Sequence, residues 1–143
     1  MIGLNTSRIV DKIKLFKIIN ETCTYADRDA CKEYVYKMYD LACLARKKGL
    51  LSFEEFSQNE PCIFTKTALR LAIDGVCRMY IADVLYSLML ADGCTGVELL
   101  KKLIIYKGIL SVLNGDNPRV IRLELCAVLG EKYIQEIEYD SRN

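Results

Sequence analysis

Three cations, Arg46, Lys47 and Lys48, stand on one side of Gly49, and two carboxylates, Glu54 and Glu55, stand on the other. A solvated helix face normally intersperses its charges, whereas these are sorted by sign. Sorted charge has two physical uses. A helix C-terminus favours cations and an N-terminus favours anions, so the dipoles account for the pattern if one helix ends at Gly49 and another begins at Ser52. Displayed at a kink, the same five side chains also make a site for electrostatic docking of a protein partner, where they tune encounter and register more than affinity. The residues alone leave both uses open.

Other chemistry is scarce. The chain has no histidine, which removes the commonest general base, the commonest metal ligand and the usual partner of a Ser or Cys nucleophile. Its seven cysteines, at 23, 31, 43, 62, 77, 94 and 126, form no CxxC, and without histidine or clustered spacing a zinc site is not expected. They lie mostly among apolar residues and read as small core fillers in a reducing compartment. Asp74 and Asp83 read as turn and surface carboxylates rather than a catalytic pair. The stretch "DGCTGVELLKK" has two glycines but lacks the Lys-Ser/Thr ending of a phosphate loop. The expectation is a non-enzymatic chain with no cofactor and no metal. Four clustered tyrosines, Tyr25, Tyr34, Tyr36 and Tyr39, are expected to serve the core. "KKLIIYK" and "ARKK" offer a basic patch, but 20 basic residues are met by 19 acidic ones, so nucleic acid is not the expected partner.

The elements that position these residues follow from periodicity. At 143 residues and 52% hydrophobic, the chain is read as one domain, 1–143, with a core that needs no staples. The most apolar windows, Met79–Ala91 and Leu99–Leu113, are interrupted by Asp83 and by Lys101, Lys102 and Lys107. Neither approaches the roughly 20 uncharged residues of a bilayer span, and the N-terminus has no signal-peptide pattern. A soluble, cytoplasmic chain is expected.

Apolar residues recur at helical spacing with clear stops. Thr6 or Ser7 is expected to cap a first helix with Ile9, Ile13, Phe16 and Ile19 or Asn20 on one face. Asp27 or Asp29 is expected to cap a second, with Cys31, Val35, Met38, Ala42 and Ala45 inward and Gly49 at its end. Ser52 and Glu55 have the form of a capping box for a short helix. Further helices are predicted from Thr65 to Gly75, from about Cys77 to Gly93 and from Thr95 to Gly115. A last one is predicted with Asn117 as cap and Pro118 at its first position. The fold class is therefore all-α, a bundle of six to seven helices. Gly108, inside a helix, marks a close crossing.

Residues 64–90 and 104–130 also superpose at a spacing of 40. Ala68 falls over Gly108, Leu69 over Ile109, Ile73 over Leu113 and Asp74-Gly75 over Asn114-Gly115. Beyond the glycine, Ile81 falls over Ile121, Leu85 over Leu125 and Leu88 over Val128. Two matching helical hairpins are expected, each turned by an Asp or Asn followed by glycine.

Leu44 to Leu90 resembles the cytoplasmic region of the MotA family, the membrane stator subunit of the bacterial flagellar motor. The family carries "A-R-x-x-G-L-L-x-L-E", then "G-L-x-L-hydrophobic-hydrophobic-D-G", then an amphipathic helix. Here these read "ARKKGLLSFEEF" and "ALRLAIDG". Arg46 falls on the family's arginine, Gly49 on its glycine, Leu50-Leu51 on the apolar pair and Glu54 on its glutamate. The resemblance implies that Arg46 and Glu54 face complementary charges on a rotor-like partner. The chain departs from the family in lacking transmembrane helices, so it would conduct no ions. Its "NGDNPRVIRLEL" looks still more like the family's "D-G-x-x-P-x-x-I-R" stretch than the first copy does. The leading expectation is a soluble helical protein-interaction module. The alternatives are a helical subunit that self-assembles through its Tyr-rich second helix, and a DNA-binding regulatory protein.

Overall fold

Glycines and the Asn117-Pro118 pair cut the chain into helices close to the expected stops. The computed structural model describes residues 2–141, and the side chains of 11–137. Nine α-helices occur among them: α1 (Ile2–Thr22), α2 (Tyr25–Ala30), α3 (Lys32–Lys48), α4 (Glu54–Asn59), α5 (Ile63–Ile73), α6 (Arg78–Ala91), α7 (Gly96–Leu113), α8 (Pro118–Leu129) and α9 (Glu131–Ser141). A 3-10 turn, Leu50–Phe53, joins α3 to α4. The described residues contain no strand, so the protein is all-α. Six to seven helices were expected. The additional ones are the six-residue α2, too short for periodicity to reveal, and α9, which the sequence joins to α8; the short helix expected around Phe53–Ser57 is α4.

The break between α8 and α9 comes from Gly130, whose φ of 127° and ψ of 169° lie where side-chain-bearing residues are strained. The redirected chain brings Tyr133 against the N-terminal helices, where its hydroxyl donates to Asp29 Oδ1 at 2.7 Å. That bond, with Lys132 and Lys32 nearby, holds the Asp29 carboxyl below its usual range.

The core forms around α7. This helix buries residues on every side, including Leu99, Leu100, Leu103, Ile104, Ile105, Ile109 and Leu110, as a helix enclosed by neighbours must. Around it pack α1, α2, α3, α5, α6 and α8. The α3 face toward it is Val35, Met38, Leu41 and Ala42, and Gly108 is the close crossing that the sequence indicates. A Cβ on Gly108 would lie 2.5 Å from Met38 Cγ. At the other end, Thr22 Oγ1 accepts the Gly96 amide at 2.9 Å and ties the end of α1 to the start of α7.

The turns α5–α6 and α7–α8 share one hydrogen-bond pattern. The Gly75 amide donates to Ala72 O at 3.2 Å, and the Gly115 amide to Val112 O at 3.0 Å. The Val76 amide donates to Leu71 O and the Asp116 amide to Ser111 O, both at 3.1 Å. Both glycines have positive φ, 71° and 76°. Leu69, Ile81 and Leu85 are buried, as are Ile109, Ile121 and Leu125, while Ile73 and Leu113 are half-buried in both copies.

Several expected caps are corrected. The first helix begins at Ile2, upstream of Thr6 and Ser7. Leu15 and Ile19 are buried and Phe16 packs half-buried against the core, whereas Ile13 is 62% exposed; the Ile9 side chain lies outside the described residues. Neither Asp27 nor Asp29 is an N-cap. Thr24 caps α2, and Asp27 closes the box from the third helical position, accepting the Thr24 amide at 2.9 Å. Ser52 and Glu55 make no capping box: Ser52 sits within the 3-10 turn and its hydroxyl donates to Gly49 O at 2.5 Å. Thr65 lies inside α5, which starts two residues earlier. Asn117 caps α8 as expected, accepting the Arg119 amide at 2.9 Å.

Candidate functional site

The last turn of α3 carries Arg46, Lys47 and Lys48, all three exposed. Gly49 ends the helix, its amide donating to Ala45 O at 2.8 Å. The chain then turns through Leu50–Phe53. Phe53 is fully buried and anchors the turn, while Leu51 is 74% exposed. Glu54 and Glu55 open α4. The sorted charges therefore do occupy a helix C-terminus and a helix N-terminus, where the local dipoles favour them.

The two signs have different partners. Glu54 Oε1 accepts from Arg70 Nη1 of α5 at 3.2 Å, so its charge is already met. Among the described residues, Arg46, Lys47 and Lys48 join no ion pair, and Glu55 joins none either. In the turn and α4 that follow, Leu51 and Phe56 expose apolar surface. The outcome is an exposed cationic helix end without an ion pair among the described residues, followed in the chain by two exposed apolar side chains.

Residues that periodicity did not single out hold this corner in place. Lys37 of α3 is ion-paired to Glu60, at the end of α4, whose side chain is only 9% exposed. Glu60 Oε1 also accepts the Cys62 amide at 3.2 Å. One carboxylate thus fixes α3, the end of α4 and the start of α5 together. The pairing spans 23 positions, and no local pattern reports it.

The tyrosine cluster is corrected. Tyr25 and Tyr36 are exposed and Tyr34 and Tyr39 half-buried, so none of the four is a fully buried core residue, and of them only Tyr34 packs against the core. Tyr34, Tyr39 and Tyr25 each meet a cation. Lys101 Nζ lies 4.9 Å from the Tyr34 ring centroid, and the Arg122 guanidinium 5.0 Å from that of Tyr39, geometry in which the ring face attracts positive charge.

Among the cysteines, Cys31 and Cys126 are buried, Cys77 is exposed and the others are half-buried; none is paired. Burial pushes the Cys31 thiol up to about 12 and the Cys126 thiol up to about 11. Asp74 and Asp83 are both exposed. Among the described residues no three His, Cys, Asp or Glu side chains are grouped to hold a metal ion, and no helix is long and apolar enough to cross a membrane. No protein-family model, curated protein or solved structure matches the chain.

Proposed function

We propose that this chain is a non-enzymatic, cytoplasmic helical module that docks onto an acidic surface of a protein partner. Arg46, Lys47 and Lys48 make the contact, and Glu54 and Glu55 set its register. The observation behind this reading is the exposed cationic end of α3, which no carboxylate among the described residues neutralises. Exposed Leu51 and Phe56 supply the apolar area that charge alone does not. The sequence resemblance to the cytoplasmic region of the MotA family supports the same residues, Arg46, Gly49, Leu50-Leu51 and Glu54, and makes a rotor-like protein the partner in view.

The test is capture of partners from the native host by the wild-type chain and by an Arg46→Glu, Lys47→Glu, Lys48→Glu variant. Each reversal at the helix end costs about 0.3–1 kcal/mol through the dipole, so folding is verified first by circular dichroism and a denaturation midpoint. The expected result is a folded variant that loses a partner, and wild-type binding that weakens with salt, because exposed charges are screened over about 10 Å at 0.1 M. Identical partners for both chains would leave the dipoles as the sole use of the sorted charges. A second reading, self-association, is favoured by the exposed Tyr25 and Tyr36, since tyrosine is enriched at interfaces. It requires a mass that rises with concentration and a dimer that Tyr36→Ser weakens.

A further inference from the structure

One helical pattern runs in the sequence through α8 and α9, and a single residue, Gly130, breaks it. The Gly130 amide still donates to Cys126 O at 3.0 Å, the four-residue spacing of an unbroken α-helix. Beyond it the ladder fails. The helical partner of the Tyr133 amide would be Leu129 O, but this amide donates to Gly130 O at 3.1 Å. Leu129 O accepts instead from Arg28 Nη1 of α2 at 3.0 Å, and Arg28 Nη2 donates to Asn20 Oδ1 of α1 at 2.9 Å. Arg28 therefore holds the carbonyl that a continuous α8–α9 helix needs for itself.

The seat of α9 is specific but small. Among its described side chains only Tyr133 is buried, and Ile134 and Ile137 are half-buried. Asp29 of α2 accepts the Tyr133 hydroxyl at 2.7 Å. Lys32 of α3 places its Nζ 2.7 Å from Glu136 Oε2 and 5.2 Å from the Tyr133 ring centroid. Lys132 Nζ adds a longer approach to Asp29, at 3.9 Å. Each of these contacts joins a side chain of α9 to one of α2 or α3, so none depends on which copy of the chain supplies α9. The helix is tied to its seat through one residue, whose φ of 127° only glycine holds without strain.

We propose that a second copy of this chain fits this seat. Gly130 straightens, α8 and α9 join into one helix, and α9 of each copy crosses to the seat of the other, giving a domain-swapped dimer. Identity fixes the occupant: Tyr133 and Glu136 of either copy find Asp29 and Lys32 of the other in the arrangement they leave behind. On straightening, Leu129 O takes the Tyr133 amide and the positive φ is relieved, while Arg28 gives up its carbonyl. All other contacts of α9 with α2 and α3 recur in both forms. The hinge and the protein concentration therefore set the balance between them. This exchange goes beyond the docking reading and depends neither on it nor on the exposed Tyr36.

Gly130→Ala tests the hinge. An added Cβ meets only Tyr133 Cδ2, at 4.0 Å, so the substitution adds no clash and penalises the kinked backbone alone. The wild-type chain and the variant are refolded from urea at low and at high protein concentration, and mass is read by light scattering. The dimer association constant of the variant should exceed that of wild type by at least about tenfold, because both hinges of a dimer gain. Charge reversal in otherwise wild-type chains identifies the exchange. Lys32→Glu sets like charges against Glu136 and Asp29, and Glu136→Lys sets like charges against Lys32. Refolded together at high concentration, these two variants should form at least about tenfold more dimer than either alone, because both seats of a mixed dimer then pair opposite charges at positions 32 and 136. A dimer built on any other surface would form as well from either variant alone. A folded Gly130→Ala chain no more dimeric than wild type, or charge-reversed chains that dimerise no better mixed than apart, would overturn the proposal.

Discussion

Replacing Gly108 with alanine sets two effects of opposite sign against each other. In a helix interior, alanine is favoured over glycine by about 0.5–1 kcal/mol. The new Cβ, however, would lie 2.5 Å from Met38 Cγ, 2.8 Å from Sδ and 3.0 Å from Cβ, well inside the roughly 3.5–4.0 Å at which carbon atoms attract. Rotating the methionine relieves the first two contacts. The third involves the first side-chain atom of a residue that is 1% exposed, so relieving it requires α3 to shift away from α7. Overpacking of this kind costs about 1–3 kcal/mol, and the clash wins. Gly108→Ala should lower stability by about 1–2 kcal/mol net. The control is Met38→Ala, which costs about 2–5 kcal/mol alone but clears the space. In that background Gly108→Ala should become neutral or stabilising, and the double variant should be more stable than the sum of the singles by about 1–2 kcal/mol. Urea unfolding followed by circular dichroism reads this, provided all four chains share one slope. A Gly108→Ala chain more stable than wild type, or a strictly additive cycle, would refute the close α3–α7 crossing.

Two further outcomes are expected. Gly75→Ala and Gly115→Ala meet no atom within 4 Å at the added Cβ, so each should lose only the left-handed backbone cost, about 1–2 kcal/mol, and the two losses should agree within about 0.5 kcal/mol; unequal denaturation midpoints would separate the two turns. Alkaline stability should decline through buried thiols. The Cys31 value of about 12 in the folded chain stands above the ordinary 9.0, so the folded chain holds more protons than the unfolded one between those values. Its contribution is complete below pH 9.0 and falls as pH rises toward about 12, with Cys126 acting likewise toward about 11. A Cys31→Ala, Cys126→Ala chain should show a flatter fall in denaturation midpoint between about pH 8 and 11, and an unchanged fall would contradict this.

Where a residue's own type dictates backbone conformation, the sequence was enough to place it. Gly49, Gly75, Gly93 and Gly115 all end helices with positive φ, and Asn117-Pro118 starts α8 as the pair's chemistry requires. The buried stripe Cys31, Val35, Met38, Ala42 was legible because one face of α3 is enclosed. The first helix was harder. Its apolar residues do not form one stripe, so spacing placed Ile19 inward correctly but also placed Ile13 there and missed Leu15. The Ser52-Glu55 spacing mimicked a capping box although Ser52 lies in a 3-10 turn, while the real box, Thr24 with Asp27, caps the short α2 ahead of the stripe that begins at Cys31. At the candidate site the cations were legible as a run in sequence. The Glu54–Arg70 and Lys37–Glu60 pairs were not, because they join separate helices or their ends.

The central position of α7 has a consequence for how the protein is made. The ribosome delivers α1 to α6 first, yet most of these helices bury their apolar faces against a helix that ends at Leu113. Sixty-five residues separate the end of α3 at Lys48 from Leu113, and at about 5–20 residues per second their synthesis takes about 3–13 s. Throughout that interval Val35 and Met38, joined by Leu69 and Leu85 as they are made, lack the α7 side of the interior that buries them in the folded chain. The apolar faces of the first half of the chain are therefore made before the helix that covers them.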